Sequence, residues 1–254
     1  MHSSYVDINQ LATYLNEYLD SSTFEDSALN GIQVGNKGNI SHIATAVSAS
    51  LETIEKAAAI GANALIVHHG IFLKKEMQGI TGTHYKKIKK LIESDIALLC
   101  YHLPLDAHTA VGNNWKAAHD LGLQNLQPFA QFGKKFIGVK GSISKTPFNE
   151  FQNKIEHYYG QKANVVKIHE YISSVAIVSG AGEKCILDAA RAGLDCLITG
   201  RVDEPVWDHA HEENVSFFGL GHYATEIIGP KTLAEHLQKT LGVKTTFIKT
   251  SNPF

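Results

Sequence analysis

Ala64-Leu65-Ile66-Val67-His68-His69-Gly70 decides how this 254-residue chain is read. Four apolar residues bounded by turn signals read as a buried strand of a parallel sheet. In open α/β sheets the functional crevice lies beyond the carboxyl ends of the strands. His68 and His69 therefore sit where chemistry is usually done. Adjacent strand residues point to opposite faces, so the two imidazoles share one site only if the backbone turns there, and Gly70 permits a turn. Taken alone, the stretch better suits two strand-end histidines, one hydrogen-bonded and one solvated; the rest of the chain shifts the balance.

Working outward, Ile43 to Ser48 reads as the preceding strand, with the helix Leu51 to Ile60 and Gly61 between them. Together they form a βαβ unit. Residues 71–82 have no period, and a basic helix follows from His84 to Ser94. Ile96 to Tyr101 is another buried strand, and it too ends in histidine: His102-Leu103-Pro104-Leu105-Asp106-Ala107-His108. Upstream, Asp7 is placed to cap a first helix, and Asn30-Gly31 is a turn signal. Downstream, Asn113 to Leu121 reads as a helix and residues 124–135 as a polar connector. Phe136 to Ser144, the helix Pro147 to Tyr159 and Asn164 to Ile168 then read as a small β-α-β segment.

From Ser174 the first half recurs. Aligning Gly61 with Gly193 places Val175-Ala176-Ile177 on Ile43-Ala44-Thr45 and Leu197-Ile198 on Leu65-Ile66. Thr199-Gly200-Arg201 then stands where Val67-His68-His69 stands. A second alignment puts His222 on His102 and Glu226 on Asp106. Such self-similarity outranks local propensity as a fold clue. The expected fold is α/β, with two similar domains from an internal duplication and mixed or parallel sheets flanked by helices. The expected divisions are 1–125, a connecting segment 126–172, and 173–254.

Each half thus ends a strand with histidine and places a carboxylate four residues on. If a helix begins there, both side chains reach one face. His102, Asp106, His222 and Glu226, with His68 and His69, supply nitrogen and oxygen ligands enough for two divalent ions with positions open to water. Carboxylates bridge cations and offset their charge. The competing reading makes Asp106 and Glu226 helix caps and the histidines satisfied strand ends; the matched pairs at duplicated positions weigh against it. His108 is an undecided neighbour.

Composition bounds the rest. A formal charge of -2 leaves no general nucleic-acid footprint. No apolar stretch is long enough to span a bilayer, and the first residues lack the basic and apolar regions of a signal peptide. Cys100, Cys185 and Cys196 read as buried hydrophobes of a reducing compartment. A cytoplasmic location is expected.

The segments Asn30-Gly31-Ile32-Gln33-Val34, Val67-His68-His69-Gly70, His102 to His108, and Gly221-His222-Tyr223-Ala224-Thr225-Glu226 resemble those of the Nif-three-like family. Its members are known as GTP cyclohydrolase 1 type 2 homologues. The likeness runs from about residue 5 to Phe247–Pro253. It implies two interlocked α/β domains, a dinuclear metal site (zinc, manganese, iron or nickel) and a hexameric ring built as a trimer of dimers. Carried over residue by residue, it implies His68 and Asp106 on one ion, His69 and His222 on the other, and Glu226 shared and catalytic. His102 matches a family histidine at the site. Leu73 and Arg201 depart from a common Trp and an acid, which bears on the substrate. The function so implied is metal-dependent hydrolytic opening of the GTP imidazole ring. Two ions about 3.5–4 Å apart lower the pKa of a water toward ~7 and polarise an electrophile. The same chemistry serves another heterocycle, an amide or a phosphoester. A non-catalytic metal-binding scaffold or regulator is the other class. No Gly-rich loop marks a triphosphate, and Lys74, Lys75 and Arg201 are the candidate cations.

Overall fold

The strand Ala64–His69 is the middle of a five-stranded sheet in the order Lys244–Phe247, His42–Ser48, Ala64–His69, Ala97–Cys100, Gly31–Val34. The computed structural model describes residues 5–74 and 79–254; Lys75 and the first four residues lie outside the described residues. Four of the five strands are parallel, and the edge strand Gly31–Val34 runs antiparallel. Burial on both faces explains the unbroken apolar run. Ala44, Leu65, Val67 and Leu98 join one core with Ile54 and Ala57 of the helix Leu51–Ala59 and Leu91 of the helix Gly82–Glu93. Their alternates Ile43, Ile66 and Leu99 are also fully enclosed. Ser50 starts the helix Leu51–Ala59 by accepting the Thr53 N–H at 3.1 Å. Asp7 caps the helix Ile8–Tyr18 through the Asn9 and Gln10 amides, as expected.

A six-stranded mixed sheet has the order Gln124–Phe132, Lys135–Pro147, Tyr171–Val178, Cys196–Thr199, Ser216–Gly219, Asn164–Val166. Phe148, Phe151 and Ile155 of the helix Phe148–Tyr159 pack with Ala117 and Ala118 of Asn113–Asp120 in one core. Ile186, Ala189, Val206 and Ala210, from the helices Ile186–Arg191 and Val206–Glu212, belong to another.

The duplication is visible in the registers. Ile43 pairs with Ala64, and Val175 with Cys196, the partners that the Gly61/Gly193 alignment requires. The third strands differ by one residue. Val67 pairs with Cys100 and Thr199 with Gly219, so one extra residue precedes His222 in the second copy. Gly221, at φ 91, belongs to that added stretch.

The chain packs as two compact units. One contains the described residues through Leu105 with Gly229–Ser251; the other is Asp106–Ile228 with Asn252–Phe254. The chain crosses between the units at Leu105/Asp106, Ile228/Gly229 and Ser251/Asn252. Residues 124–135 are no connector. They form most of a hairpin turning at Gly133 (φ 58), whose polar, half-exposed outer strand lacks the alternation that marks a strand in sequence. Asn164–Val166 pairs with Ser216–Gly219 at the sheet's far edge, so Phe136–Ser144 and Asn164–Ile168 do not form a separate β-α-β segment.

Burial pushes the Cys100 thiol up to about 12 and the Cys196 thiol well above the usual range. Both should stay silent to a thiol-reactive dye in the folded protein and react on denaturation. Prompt labelling of either would contradict this burial. Among the described residues, no helix is long and apolar enough to cross a membrane.

Candidate metal centre

His68 and His69 close the strand Ala64–His69 without a turn: Ser48 still pairs with His69. Their rings nevertheless lie 4.7 Å apart, and that of His102 lies 4.8 Å from His68 and 5.6 Å from His69. Strand side chains lean along the strand direction, which lets neighbours converge at its end. Gly70 has a different task from the one expected. Its φ is not left-handed, and a Cβ there would overlap the Gln33 amide. That amide accepts the Ile71 and Phe72 N–H groups at 2.7 and 3.2 Å and donates to Leu29 O and Phe72 O. Gly70 lets Gln33 tie down the backbone after the histidines.

Each of the three rings has its Nδ1 engaged. His68 Nδ1 lies 3.3 Å from Tyr101 O, His69 Nδ1 3.0 Å from Ser48 Oγ, and His102 Nδ1 2.9 Å from Asp26 Oδ1. Nε2 is then the nitrogen that would ligate. Histidines that hold metals are usually braced this way through the other ring nitrogen. One ligand atom from each of the three falls within 4.8 Å of the others, so these histidines could hold a metal ion.

Asp26 is the most connected brace. Besides His102 it accepts the Ala28 and Leu103 amides and the Asn30 side chain, all at 3.0 Å. Burial pushes its carboxyl upward, but the His102 hydrogen bond and charge, with the Ala28 and Asn30 donors, hold it well below the usual range. Asn30 also accepts the His102 N–H at 2.9 Å, so it does more than mark a turn. Asp26→Asn should weaken metal binding about 10–100-fold and leave the melting curve cooperative. Unchanged affinity by titration would remove Asp26 from this role.

In the other unit, His222 begins and Glu226 ends the helix His222–Glu226. His222 Nε2 lies 3.0 Å from Glu226 Oε1, the shared face expected of the four-residue spacing. Small residues make the space. A Cβ on Gly180, which sits at φ 65, would overlap Glu226 Oε1; one on Gly200 would press on the His222 backbone at 2.6 Å. Asp106 accepts Asn113 Nδ2 and Ser179 Oγ, each at 2.8 Å. Glu226 and Asp106 are 2% and 5% exposed, and buried carboxylates need paired donors or cations.

The expected His102/Asp106 partnership takes another form: His102 is bound to Asp26 in one unit and Asp106 to Asn113 and Ser179 in the other. The cause is local. His102 precedes the helix Leu103–Ala107, whereas His222 is the first residue of its own. His108 Nδ1 accepts the Ala110 and Val111 amides at 3.2 Å and shapes the following loop. Asp26, Ser48, Ser179 and Gly180 carry no mark of the site in the sequence, because a brace is defined by partners distant along the chain.

A mixed α/β architecture with histidines at or just after strand ends and carboxylates in the short helices that follow is the class so defined. The model of the Duf34/NIF3 family (NGG1p interacting factor 3) matches residues 6–253, and the chain belongs to that family. A Chlamydia pneumoniae protein named GTP cyclohydrolase 1 type 2 homolog is 44% identical over 98% of this chain and 100% of its own length. The crystal structure of a Thermus thermophilus protein, TTHA1606, matches with a TM-score of 0.90 at 30% identity, covering 98% of this chain and 100% of that one. Protein ybgI, described as of unknown function, matches with a TM-score of 0.92 at 35% identity over 98% and 100% of the two chains.

Proposed function

We propose that the protein is a dinuclear-metal-dependent hydrolase. His68, His69, His102, Asp106, His222 and Glu226 supply the ligands for two divalent ions per chain, with zinc, manganese, iron and nickel as the candidates. The observation that carries this reading is the trio of converging histidines, each engaged at Nδ1. The Gly180 and Gly200 clearance around His222 and Glu226 supports it. A mixed imidazole and carboxylate set suits borderline metals that keep positions open to water. Two such ions would supply an activated water and a Lewis acid.

The chain's own residues then orient and neutralise. Asp26, Ser48 and the Tyr101 carbonyl hold the imidazoles, and Ser179 and Asn113 hold Asp106. Glu226 is the shared carboxylate and the residue to which the proposal gives catalysis. The homologues' name points to GTP as substrate, with hydrolytic opening of the purine imidazole ring as the reaction. Incubating metal-loaded protein with GTP, while following purine absorbance and products by chromatography, tests this. Turnover should vanish in His69→Ala. No conversion with any of the four metals would exclude GTP. Equal inertness toward other heterocycles, amides and phosphoesters would favour a metal-binding scaffold. We also propose a homohexamer, a trimer of dimers, for which light scattering should give six times the 27.8 kDa chain mass; a stable monomer at micromolar concentration contradicts it.

A further inference from the structure

Arg201 occupies the place in the second copy that His69 holds in the first. Its backbone N–H donates to Gly180 O at 2.8 Å, and its guanidinium Nη2 lies 2.5 Å from Glu183 Oε1. Glu183 is only 3% exposed, and its second oxygen has no hydrogen-bond partner among the described residues. This buried carboxylate is committed to one guanidinium and fixes its position. The arginine side chain itself is half exposed, which leaves further N–H donors facing outward.

A cavity of ≈ 380 Å³ lies against it, lined by Arg201, His222, Gln161, Asn164, Val202 and Phe254 among others. That volume is in the range of small-molecule sites. Arg201 brings the cavity's permanent side-chain charge, and His222 in the same wall is a metal ligand of the proposal above. An occupant therefore meets a fixed cation on one side and the metal-binding imidazole on another. We propose that this cavity is the oxyanion subsite of the substrate, with Arg201 binding a phosphate or carboxylate group of a small molecule. The assignment to substrate rests on the hydrolase reading; the anion-binding property can be measured apart from it.

The test uses the full chain, metal-loaded and chelator-treated, titrated calorimetrically with phenyl phosphate, benzoate and the neutral control phenol. Either anion should bind the chelator-treated protein at least about tenfold more tightly than phenol. The preferred anion identifies phosphate or carboxylate. Arg201→Ala should weaken that binding about 10–100-fold while metal content stays native. Because the single variant strands the buried Glu183 charge, Glu183→Gln/Arg201→Met serves as the second variant; it removes both charges and should lose the same affinity with a near-native melt. Glu183→Gln alone, which frees the guanidinium to wander, should weaken binding less. Retained affinity in both Arg201 variants overturns the proposal, as does absence of anion binding by the native chain. If anions bind only with metal present and regardless of Arg201, the subsite fails and the metal reading stands. If Arg201-dependent binding is found in a native chain that takes up no added zinc, manganese, iron or nickel, the subsite stands and the metal reading fails.

Discussion

Glu226→Ala is expected to release at least one divalent ion per chain and to abolish metal-dependent turnover. The carboxylate is buried, lies 3.0 Å from His222 Nε2, and sits in space kept by a left-handed glycine. Removing a mere brace behind a metal ligand typically costs about 10–100-fold in affinity or activity. Loss of a shared ligand should cost more than that upper bound. The fold should survive, because Glu226 ends a five-residue helix and an alanine there relieves a buried charge. Elemental analysis of protein purified without chelator, beside a thermal melt, separates the two effects. Full metal content in both Glu226→Ala and Asp106→Ala would show the ligand assignment to be wrong.

The second large effect is expected of Gly180→Ala, a change that removes no ligand. Gly180 and Gly193 share the same backbone geometry, at φ 65 and φ 64. An alanine at either should cost roughly 1 kcal/mol or somewhat more through left-handed strain. A Cβ at Gly193 meets nothing within 4 Å, whereas at Gly180 it overlaps Glu226 Oε1 and comes within 3.0 Å of His222 Nε2. Gly193→Ala is therefore the internal control: its melt should drop a few degrees with metal content intact. Gly180→Ala should show a further drop and lose metal. Equal behaviour of the two variants would mean that the space beside Glu226 has no bearing on metal binding.

Much of this is legible in the sequence because parallel strands buried on both faces write themselves as short apolar runs. Ala64–Val67 and Leu197–Ile198 can thus be aligned, and their pairings follow the same register. The strand-end histidines are equally visible, and the matched four-residue spacings to Asp106 and Glu226 at duplicated positions weigh against their being merely satisfied strand ends. Other parts are hidden for physical reasons. The outer strand of the hairpin, Gln124–Phe132, is half solvated, so residues 124–135 read as a connector. Gly70 looks like a turn residue, but it gives way to a side chain 37 positions upstream, Gln33. Asp26, which ties together His102, Leu103, Ala28 and Asn30, is an ordinary acidic residue until folding gathers its partners. Likewise, the matched four-residue spacings conceal a difference: His222 and Glu226 meet on one helix, while His102 and Asp106 are each secured by other residues.

The proposal that these six residues hold two ions per chain is tested most directly by calorimetric titration of the chelator-treated native chain with zinc or manganese. The account predicts saturation at about two ions per chain, falling to about one or none in Asp106→Ala and Glu226→Ala. Saturable binding of no ion by the native chain, or identical stoichiometry in all three proteins, would contradict it.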